Sequence, residues 1–219
     1  MMHGLGALVK RMVDLLAACI GLALLLLPFL AIALAIKLDD GGSVFFKQER
    51  VGMGGISLRV WKLRTMSVML SNPTGPDVLH KEDARITRVG AVLRKLGLDE
   101  LPQLFNVLVG DMSLVGPRPT LSYQVAAYDQ FQRRRLEMKP GITSLAVVSG
   151  RNELSWEDRI KFDVWYIDHW SLCLDVSILF RTLWKVLVTH EGLYGADGVN
   201  DTFVKATNVP DREQEGKTT

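Results

Sequence analysis

The hydrophobic positions divide the chain into one long apolar segment near its start and a longer remainder of mixed polarity. The apolar segment spans residues 13–36, in which Asp14 is the only charged residue. An α-helix rises ~1.5 Å per residue, so this segment is long enough for a bilayer hydrocarbon core of roughly 30 Å. Pro28 lies near its middle and removes one backbone donor, which predicts a kink or a break. The pattern predicts a membrane helix bent at Pro28.

Two placements of this segment in a membrane are compatible with its flanking charges. Basic residues lie on both sides of it: Lys10, Arg11, Lys37, Lys47 and Arg50. Positive charge at both ends gives the positive-inside rule no orientation. A kinked helix could cross the membrane once, or a re-entrant hairpin could keep both ends on the cytoplasmic side, which the charge symmetry and Pro28 favour. A cleaved signal peptide is disfavoured because the apolar segment exceeds the usual ~7–15 residues.

The remainder of the chain alternates between short strand patterns and helical patterns. Residues 44–46 and 56–61 are predicted to be strands around a turn that contains Gly52, Gly54 and Gly55. Helical patterns cover residues 85–96, 100–109, 122–138, a segment that begins at 155, and residues 172–188. The predicted fold class is therefore α+β and helix-rich, with short strands.

Three regions follow from these patterns. Residues 1–40 form the membrane helix, residues 41–192 a folded domain, and residues 193–219 a tail whose composition predicts flexibility. Residues 71–77 contain two prolines and a glycine, which predicts a loop inside the domain. A length of 219 residues leaves room for one domain of ordinary size beside the membrane helix.

The charge of the chain is distributed unevenly. Residues 44–95 hold ten Lys and Arg against four Asp and Glu, whereas residues 96–219 hold thirteen against seventeen. A basic region beside a membrane helix favours an anionic membrane surface and a phosphate-bearing substrate as partners. Nucleic acid is disfavoured because neither a basic base-reading helix nor an aromatic stacking motif occurs. Two cysteines and four scattered histidines argue against a disulfide scaffold and a zinc site.

The first candidate for chemistry is the adjacent pair Asp99 and Glu100. Asp99 can be interpreted as a helix N-cap, with Pro102 in the first turn. The same residues are also typical of phosphoryl transfer, because a carboxylate can attack phosphorus and Mg²⁺ commonly binds one or two carboxylates beside substrate phosphates. Arg94, five residues earlier, could neutralise charge on the transferred group. Both interpretations stay open at this point.

Two further segments carry candidate anion-binding residues. Pro117 and Pro119 hold Arg118 in an extended backbone, and the alternative is an ordinary surface turn. Lys62 and Arg64 alternate along a predicted strand, which places both on one face that could bind an anion. A solvated strand edge is the alternative for this pair.

Ordered motifs over nearly the whole chain carry a family resemblance. They are Lys10-Arg11-Met12-Val13-Asp14, Phe46-Lys47-Gln48-Glu49-Arg50-Val51-Gly52, Lys62-Leu63-Arg64-Thr65-Met66, Leu98-Asp99-Glu100-Leu101-Pro102-Gln103, Gly110-Asp111-Met112-Ser113, Val115-Gly116-Pro117-Arg118-Pro119, Lys139-Pro140-Gly141-Ile142-Thr143 and Ser149-Gly150-Arg151-Asn152. On these motifs the chain resembles the monotopic phosphoglycosyltransferases, also called bacterial sugar transferases. The resemblance runs from about residue 10 to about residue 187.

The resemblance implies a fold, a location and a reaction. It implies a re-entrant membrane helix bent at Pro28, a small cytoplasmic catalytic domain with interfacial amphipathic helices, and an active site on the cytoplasmic face of the bacterial inner membrane. It further implies transfer of a sugar-1-phosphate from a UDP-sugar to undecaprenyl phosphate with release of UMP, the first membrane step of bacterial glycan assembly. The absence of further apolar segments predicts a minimal catalytic unit. A homodimer is one of the oligomeric states that the sequence leaves open.

The resemblance also implies residue roles. Asp99 would be the nucleophile that forms a covalent phosphosugar intermediate and would bind Mg²⁺, with Glu100 assisting as a base or as support for the metal. Substrate contact is implied for Arg94, Arg118, Lys62 and Arg64. An alternative of another class is a catalytically silent membrane scaffold that binds polyprenyl phosphate, against which the intact pair of carboxylates weighs.

Three positions depart from the family pattern. Leu27 precedes the proline of the bend, where the family usually has Ser. Leu63 takes the place of Phe between the two basic residues of its motif. Residues 144–147 read Ser-Leu-Ala-Val instead of Gly-aromatic-Ala-Gln. None of the three is a predicted catalytic residue, and the identity of the sugar is left open.

Overall fold

A computed structural model describes residues 4–67, 85–150 and 154–186 of the chain. Its elements are α1 (Gly4–Asp40), β1 (Phe45–Val51), β2 (Ser57–Leu63), α2 (Arg88–Leu96), α3 (Gln103–Val109), β3 (Ser113–Val115), α4 (Ser122–Ala126), α5 (Gln130–Arg133), β4 (Gly141–Thr143), α6 (Leu145–Ser149), α7 (Trp156–Asp168) and α8 (Leu172–Trp184). This order confirms a helix-rich α+β chain. The predicted loop at 71–77 and the predicted tail at 193–219 lie outside the described residues.

Helix α1 contains the predicted membrane segment and extends beyond it at both ends. Its 37 residues correspond to a length of ~55 Å, and its length and composition suit a membrane-crossing helix. The helix does not end at Pro28 but continues through it. A proline removes one hydrogen bond and can be accommodated by a kink, so the helix need not break there. The re-entrant arrangement stays a prediction.

One face of α1 packs on the folded domain and the other is apolar and exposed. The buried positions Lys10, Asp14, Ala18 and Ile36 fall on one face at helical spacing. Large apolar side chains elsewhere on the helix are open to the surroundings, for example Leu24 with 74% of its surface exposed. An apolar stripe of this length is typical of contact with a membrane.

Both ends of α1 are joined to the same domain by polar contacts. Near the first end, Lys10 Nζ lies 2.6 Å from a carboxylate oxygen of Asp175 in α8, and Asp14 accepts a hydrogen bond of 3.0 Å from the Leu114 amide. At the far end, Asp39 accepts a hydrogen bond of 2.9 Å from the Val89 amide in α2. The helix therefore lies along the domain instead of leading away from it.

Strands β1 and β2 form the predicted antiparallel hairpin. Phe45 pairs with Leu63, Val51 pairs with Ser57, and a 3₁₀ turn over Met53–Gly55 joins the strands. Val60 of β2 is buried and packs in one cluster with other apolar side chains from α1, α3 and the segment after it: Ala18, Leu104, Val107 and Met112. The hairpin confirms the strands predicted at 44–46 and 56–61 and extends them.

A second, parallel strand pair is absent from the sequence prediction. Ser113 of β3 pairs with Gly141 of β4, and Val115 pairs with Thr143. Three residues per strand are too few for a readable alternation of polar and apolar positions. The backbones approach so closely here that a Cβ on Gly116 or on Gly141 would overlap the opposing backbone. Ser113 and Val115, in the segment that leads to Arg118, are both buried in this pairing.

The prediction of one continuous helix over residues 122–138 is wrong, because the helix is interrupted there. It forms α4, α5 and a 3₁₀ turn over Arg134–Glu137. Asp129 starts α5 as a new helix: its carboxylate accepts the Gln132 amide at 2.8 Å, and the Gln132 side chain accepts the Asp129 amide at 3.1 Å. This reciprocal cap ends any continuous helix before it.

The other helix predictions are confirmed with shifted ends. The Thr87 hydroxyl accepts the Gly90 amide at 2.9 Å, so α2 starts later than predicted. The Ser155 hydroxyl accepts the Asp158 amide at 3.1 Å, which confirms the predicted start of α7. Helix α8 begins as predicted at Leu172, and residues 187 and 188 lie outside the described part of the chain.

Candidate active site

Asp99 lies in a 3₁₀ turn, Leu98–Glu100, between α2 and α3. Gly97 ends α2 in the left-handed conformation, with φ of 69°, which turns the chain sharply. The interpretation of Asp99 as a helix N-cap is wrong, because Pro102 occupies that position before α3 and no side-chain cap is formed. Asp99 is only 5% exposed, and its Oδ1 has no hydrogen-bond partner among the described residues. The carboxylate is thus not used to stabilise a helix.

The surroundings of Asp99 change its protonation. Burial, reinforced by the negative charge of Glu100, raises the pKa of Asp99 from 3.8 to about 6. The positive charges of Lys62, Arg94 and Arg118 act in the opposite direction. The carboxylate is therefore a buried anion held among three cations, and most of it is ionised at neutral pH.

Glu100 connects two of these cations. Both terminal guanidinium nitrogens of Arg118 donate to the Glu100 carboxylate, Nη1 to Oε2 at 3.1 Å and Nη2 to Oε1. Lys62 Nζ lies 3.7 Å from Glu100 Oε1. Glu100 is buried, whereas the Arg118 side chain is 37% exposed and therefore accessible to a ligand. The paired geometry is typical of a guanidinium that can also bind a phosphate.

Arg94 approaches the site from the last turn of α2. Its side chain is buried, and its Nε donates a hydrogen bond of 2.6 Å to the hydroxyl of Thr65. The structure thus brings together five of the six residues that the sequence assigned to the site: Asp99, Glu100, Arg94, Arg118 and Lys62.

Arg64 is not brought to Asp99. Strand β2 ends at Leu63, so the alternation that would place Arg64 beside Lys62 stops before it. The buried Arg64 guanidinium instead pairs with the Asp40 carboxylate at the end of α1, and its Nη1 lies 3.5 Å from the Ser43 hydroxyl. In the described structure Arg64 joins the end of α1 to the domain.

A buried ion pair behind Arg118 could not be found from the sequence. Arg135 donates to the Asp163 carboxylate at 2.5 Å, to the Tyr128 hydroxyl at 2.7 Å and to the backbone carbonyl of Arg118 at 3.2 Å. Burial raises the pKa of Asp163 to about 6 against the opposing charge of Arg135. Three arginines follow one another at 133–135, and no local signal marks the third as the buried one.

The fold and this site together define a class of protein. A buried carboxylate with an oxygen that has no partner among the described residues, three neighbouring cations and an apolar helix on the same domain are typical of a membrane-associated enzyme that transfers a phosphate-bearing group. Residues 5–189 match the family model described as bacterial sugar transferase. The chain belongs to that family, which confirms the resemblance and the transferase assignment.

Similar proteins are found over nearly the whole chain. An uncharacterized sugar transferase, EpsL, of Bacillus subtilis (strain 168) is 45% identical over 183 residues, which cover 84% of this chain and 89% of the relative. The exopolysaccharide production protein ExoY of Rhizobium meliloti (strain 1021) is 40% identical, with coverages of 85% and 88%. The UDP-glucose:undecaprenyl-phosphate glucose-1-phosphate transferase of Escherichia coli (strain K12) is also 40% identical, with coverages of 85% and 42%. These relatives and α1 indicate a bacterial membrane protein.

Proposed function

We propose that the protein transfers a sugar-1-phosphate from a UDP-sugar to undecaprenyl phosphate, releases UMP, and thereby starts assembly of a bacterial glycan. One observation carries the proposal: the buried Asp99 carboxylate, whose Oδ1 has no partner among the described residues, lies among three cations. The names of relatives that act on UDP-glucose and undecaprenyl phosphate support this substrate class.

The first half-reaction is a displacement by Asp99. A carboxylate oxygen of Asp99 attacks the phosphorus that carries the sugar, and a new O–P bond forms as the P–O bond to UMP breaks. UMP leaves with that electron pair, and the sugar phosphate stays on Asp99. A pKa of about 6 leaves the carboxylate largely ionised at neutral pH, so the attack needs no separate base.

The second half-reaction regenerates Asp99. A phosphate oxygen of undecaprenyl phosphate attacks the same phosphorus, the bond to Asp99 breaks, and the product is a lipid-linked diphosphate sugar. Donor and acceptor are both anions, and a covalent intermediate lets the same cations serve each in turn. Arg94 and Arg118 stabilise charge on the phosphoryl oxygens, and Lys62 supports them.

Glu100 acts in this proposal by holding cations in place. Its two oxygens contact Arg118, and one of them lies near Lys62. Glu100 therefore orients Arg118 towards the reacting phosphate and adds to the negative field that raises the pKa of Asp99.

The donor set at the site fits Mg²⁺ held mainly by substrate. No group of three or more His, Cys, Asp or Glu side chains that could bind a metal occurs among the described residues. Asp99 Oδ1, which has no partner among the described residues, is a hard oxygen of the kind that Mg²⁺ binds together with substrate phosphates. Bound there, Mg²⁺ would neutralise the diphosphate of the donor.

The same proposal includes the arrangement in the membrane. Both ends of α1 contact one domain, through Lys10 at the start and Asp39 at the end, which supports a re-entrant helix with both ends on the cytoplasmic side. Helix α8 leaves Phe180 and Leu183 exposed, at 67% and 58%, which supports an interfacial position for this helix. The site would then lie where a lipid-linked phosphate reaches it.

UMP release tests the function. The full chain is placed in phospholipid nanodiscs with Mg²⁺ and undecaprenyl phosphate, and UDP-glucose, UDP-galactose, UDP-N-acetylglucosamine and UDP-N-acetylgalactosamine are compared. We expect turnover with at least one sugar, loss of it in excess EDTA, and a decrease of at least about a thousandfold in Asp99→Asn. Glu157→Gln, which changes an exposed carboxylate of α7, is the matched control.

A mass measurement tests the intermediate separately. Without acceptor, the wild-type protein should gain the mass of one sugar phosphate from the donor that supports turnover, and Asp99→Asn should gain none. Unchanged turnover in Asp99→Asn would refute the nucleophile. A folded wild-type protein that releases no UMP with any of the four donors would instead favour the scaffold hypothesis.

A further inference from the structure

Thr65 lies at the junction between the β-hairpin and α2. It is 5% exposed, and its hydroxyl accepts the hydrogen bond of 2.6 Å from Nε of Arg94, which is itself 9% exposed. A buried, short bond to a guanidinium is charge-assisted and therefore stronger than a neutral one. Because the guanidinium is planar, fixing Nε also fixes the plane in which its two terminal nitrogens lie.

The backbone of Thr65 holds the helix that carries Arg94. The Thr65 carbonyl accepts the Thr87 amide at 3.1 Å, at the residue that caps α2. A Cβ on Gly90, in the first turn, would overlap this carbonyl, so α2 touches Thr65 directly. The start of α2 and the side chain from its last turn are therefore both positioned by Thr65.

The membrane helix is connected to the same junction. Arg64, the neighbour of Thr65, pairs with Asp40, and Asp39 accepts the Val89 amide of α2 at 2.9 Å. The last turn of α1 thus contacts both the residue beside Thr65 and the first turn of α2. The position of Arg94 is tied to the end of the membrane helix through these contacts.

We propose that Thr65 is a positioning residue that sets the orientation of the Arg94 guanidinium towards the phosphoryl group transferred at Asp99. This proposal rests on the proposed function. Among the described residues the Thr65 hydroxyl contacts the Arg94 side chain, so Thr65 acts through the arginine. Its role requires a hydroxyl acceptor at this place, which serine supplies and valine lacks.

Two substitutions separate the hydroxyl from the shape of the side chain. Thr65→Val keeps the branched shape and removes the acceptor, whereas Thr65→Ser keeps the acceptor and removes a methyl group. A hydrogen bond to a charged group corresponds to about one to two powers of ten in an equilibrium constant. We expect Thr65→Val to lower kcat about ten- to hundredfold with a change in KM below about threefold, and Thr65→Ser to stay within about threefold of wild type.

A double-mutant cycle distinguishes positioning from a general loss of structure. Arg94→Gln removes the guanidinium, so Thr65→Val should add less than about a twofold decrease in that background. A merely structural role predicts that the effect of Thr65→Val persists without Arg94. All four proteins are measured in the same nanodiscs with whichever of the four UDP-sugars the wild type turns over.

Each outcome bears on one of the two proposals. Equal loss of kcat in Thr65→Val and Thr65→Ser, or full additivity with Arg94→Gln, would overturn the positioning role while leaving the proposed function intact. If the wild type turns over none of the four donors, the proposed function fails, and the cycle is measured by thermal unfolding instead. There, coupling between Thr65→Val and Arg94→Gln supports the Thr65–Arg94 linkage, and its absence overturns it.

Discussion

The burial of Asp99 has a consequence for stability that is independent of catalysis. Its pKa is about 6 in the folded protein and 3.8 ordinarily. The folded state therefore binds the proton more tightly than the unfolded state, so stability falls as pH rises from about 4 to about 6, and the loss persists at higher pH. The two pKa values lie about 2.2 apart, and a difference of one corresponds to about 1.4 kcal/mol, so the loss is ~3 kcal/mol.

Asp99→Asn removes the ionisable group and keeps its shape. We expect the variant to match the wild type near pH 4 and to be more stable by ~3 kcal/mol at pH 8, which corresponds to an increase in Tm of roughly 6–12 °C for a chain of this size. The variant that abolishes transfer would thus be the more stable protein. Functional groups commonly lower stability in this way.

Thermal unfolding in nanodiscs at pH 4, 5, 6, 7 and 8 measures this difference. EDTA is present and substrate is absent, so that neither a metal nor a phosphate contributes to the result. Glu157→Gln, with its exposed side chain, should stay within about 0.5 kcal/mol of the wild type across the series. An Asp99→Asn protein less stable than the wild type at pH 8, or a difference independent of pH, would refute the reasoning from burial.

Two further substitutions test the contacts of α1 and α2. Gly90→Ala should displace α2 from Thr65, cost about 1–3 kcal/mol and lower UMP release at least about tenfold. Gly4→Ala, where a Cβ meets no described residue within 4 Å, should do neither. Wild-type turnover in Gly90→Ala would contradict this. Lys10→Met leaves the buried Asp175 without its cation and should lower the free energy of unfolding by about 3–5 kcal/mol, measured against the exposed control Lys37→Met. Equal stability of these two methionine variants would show that the ion pair does not anchor α1.

Much of this protein can be predicted from its sequence because the signals are local. The apolar run around Pro28 predicts a membrane helix, and the apolar positions predict α2 and α8 within a few residues. Ser155, as a helix-capping residue, predicts the start of α7. The adjacent carboxylates Asp99 and Glu100 mark the candidate site, and Arg94 precedes Asp99 by five residues. Each of these signals lies within a few turns of chain, where periodicity and side-chain chemistry are directly readable.

Other features depend on which distant segments meet. Lys62 and Arg64 look equivalent along the chain, yet one lies near Glu100 and the other pairs with Asp40. Arg135 is indistinguishable from its two neighbours until α7 supplies Asp163.

Thr65 becomes significant only when α2 packs on it and brings Arg94 to its hydroxyl. The protonation of Asp99 has the same origin, because its pKa reflects burial and the charges that other elements bring near it. Local sequence determines which elements form and which residues have suitable chemistry. Tertiary packing decides which of them meet, because contacts between distant segments depend on how whole elements fill space against one another.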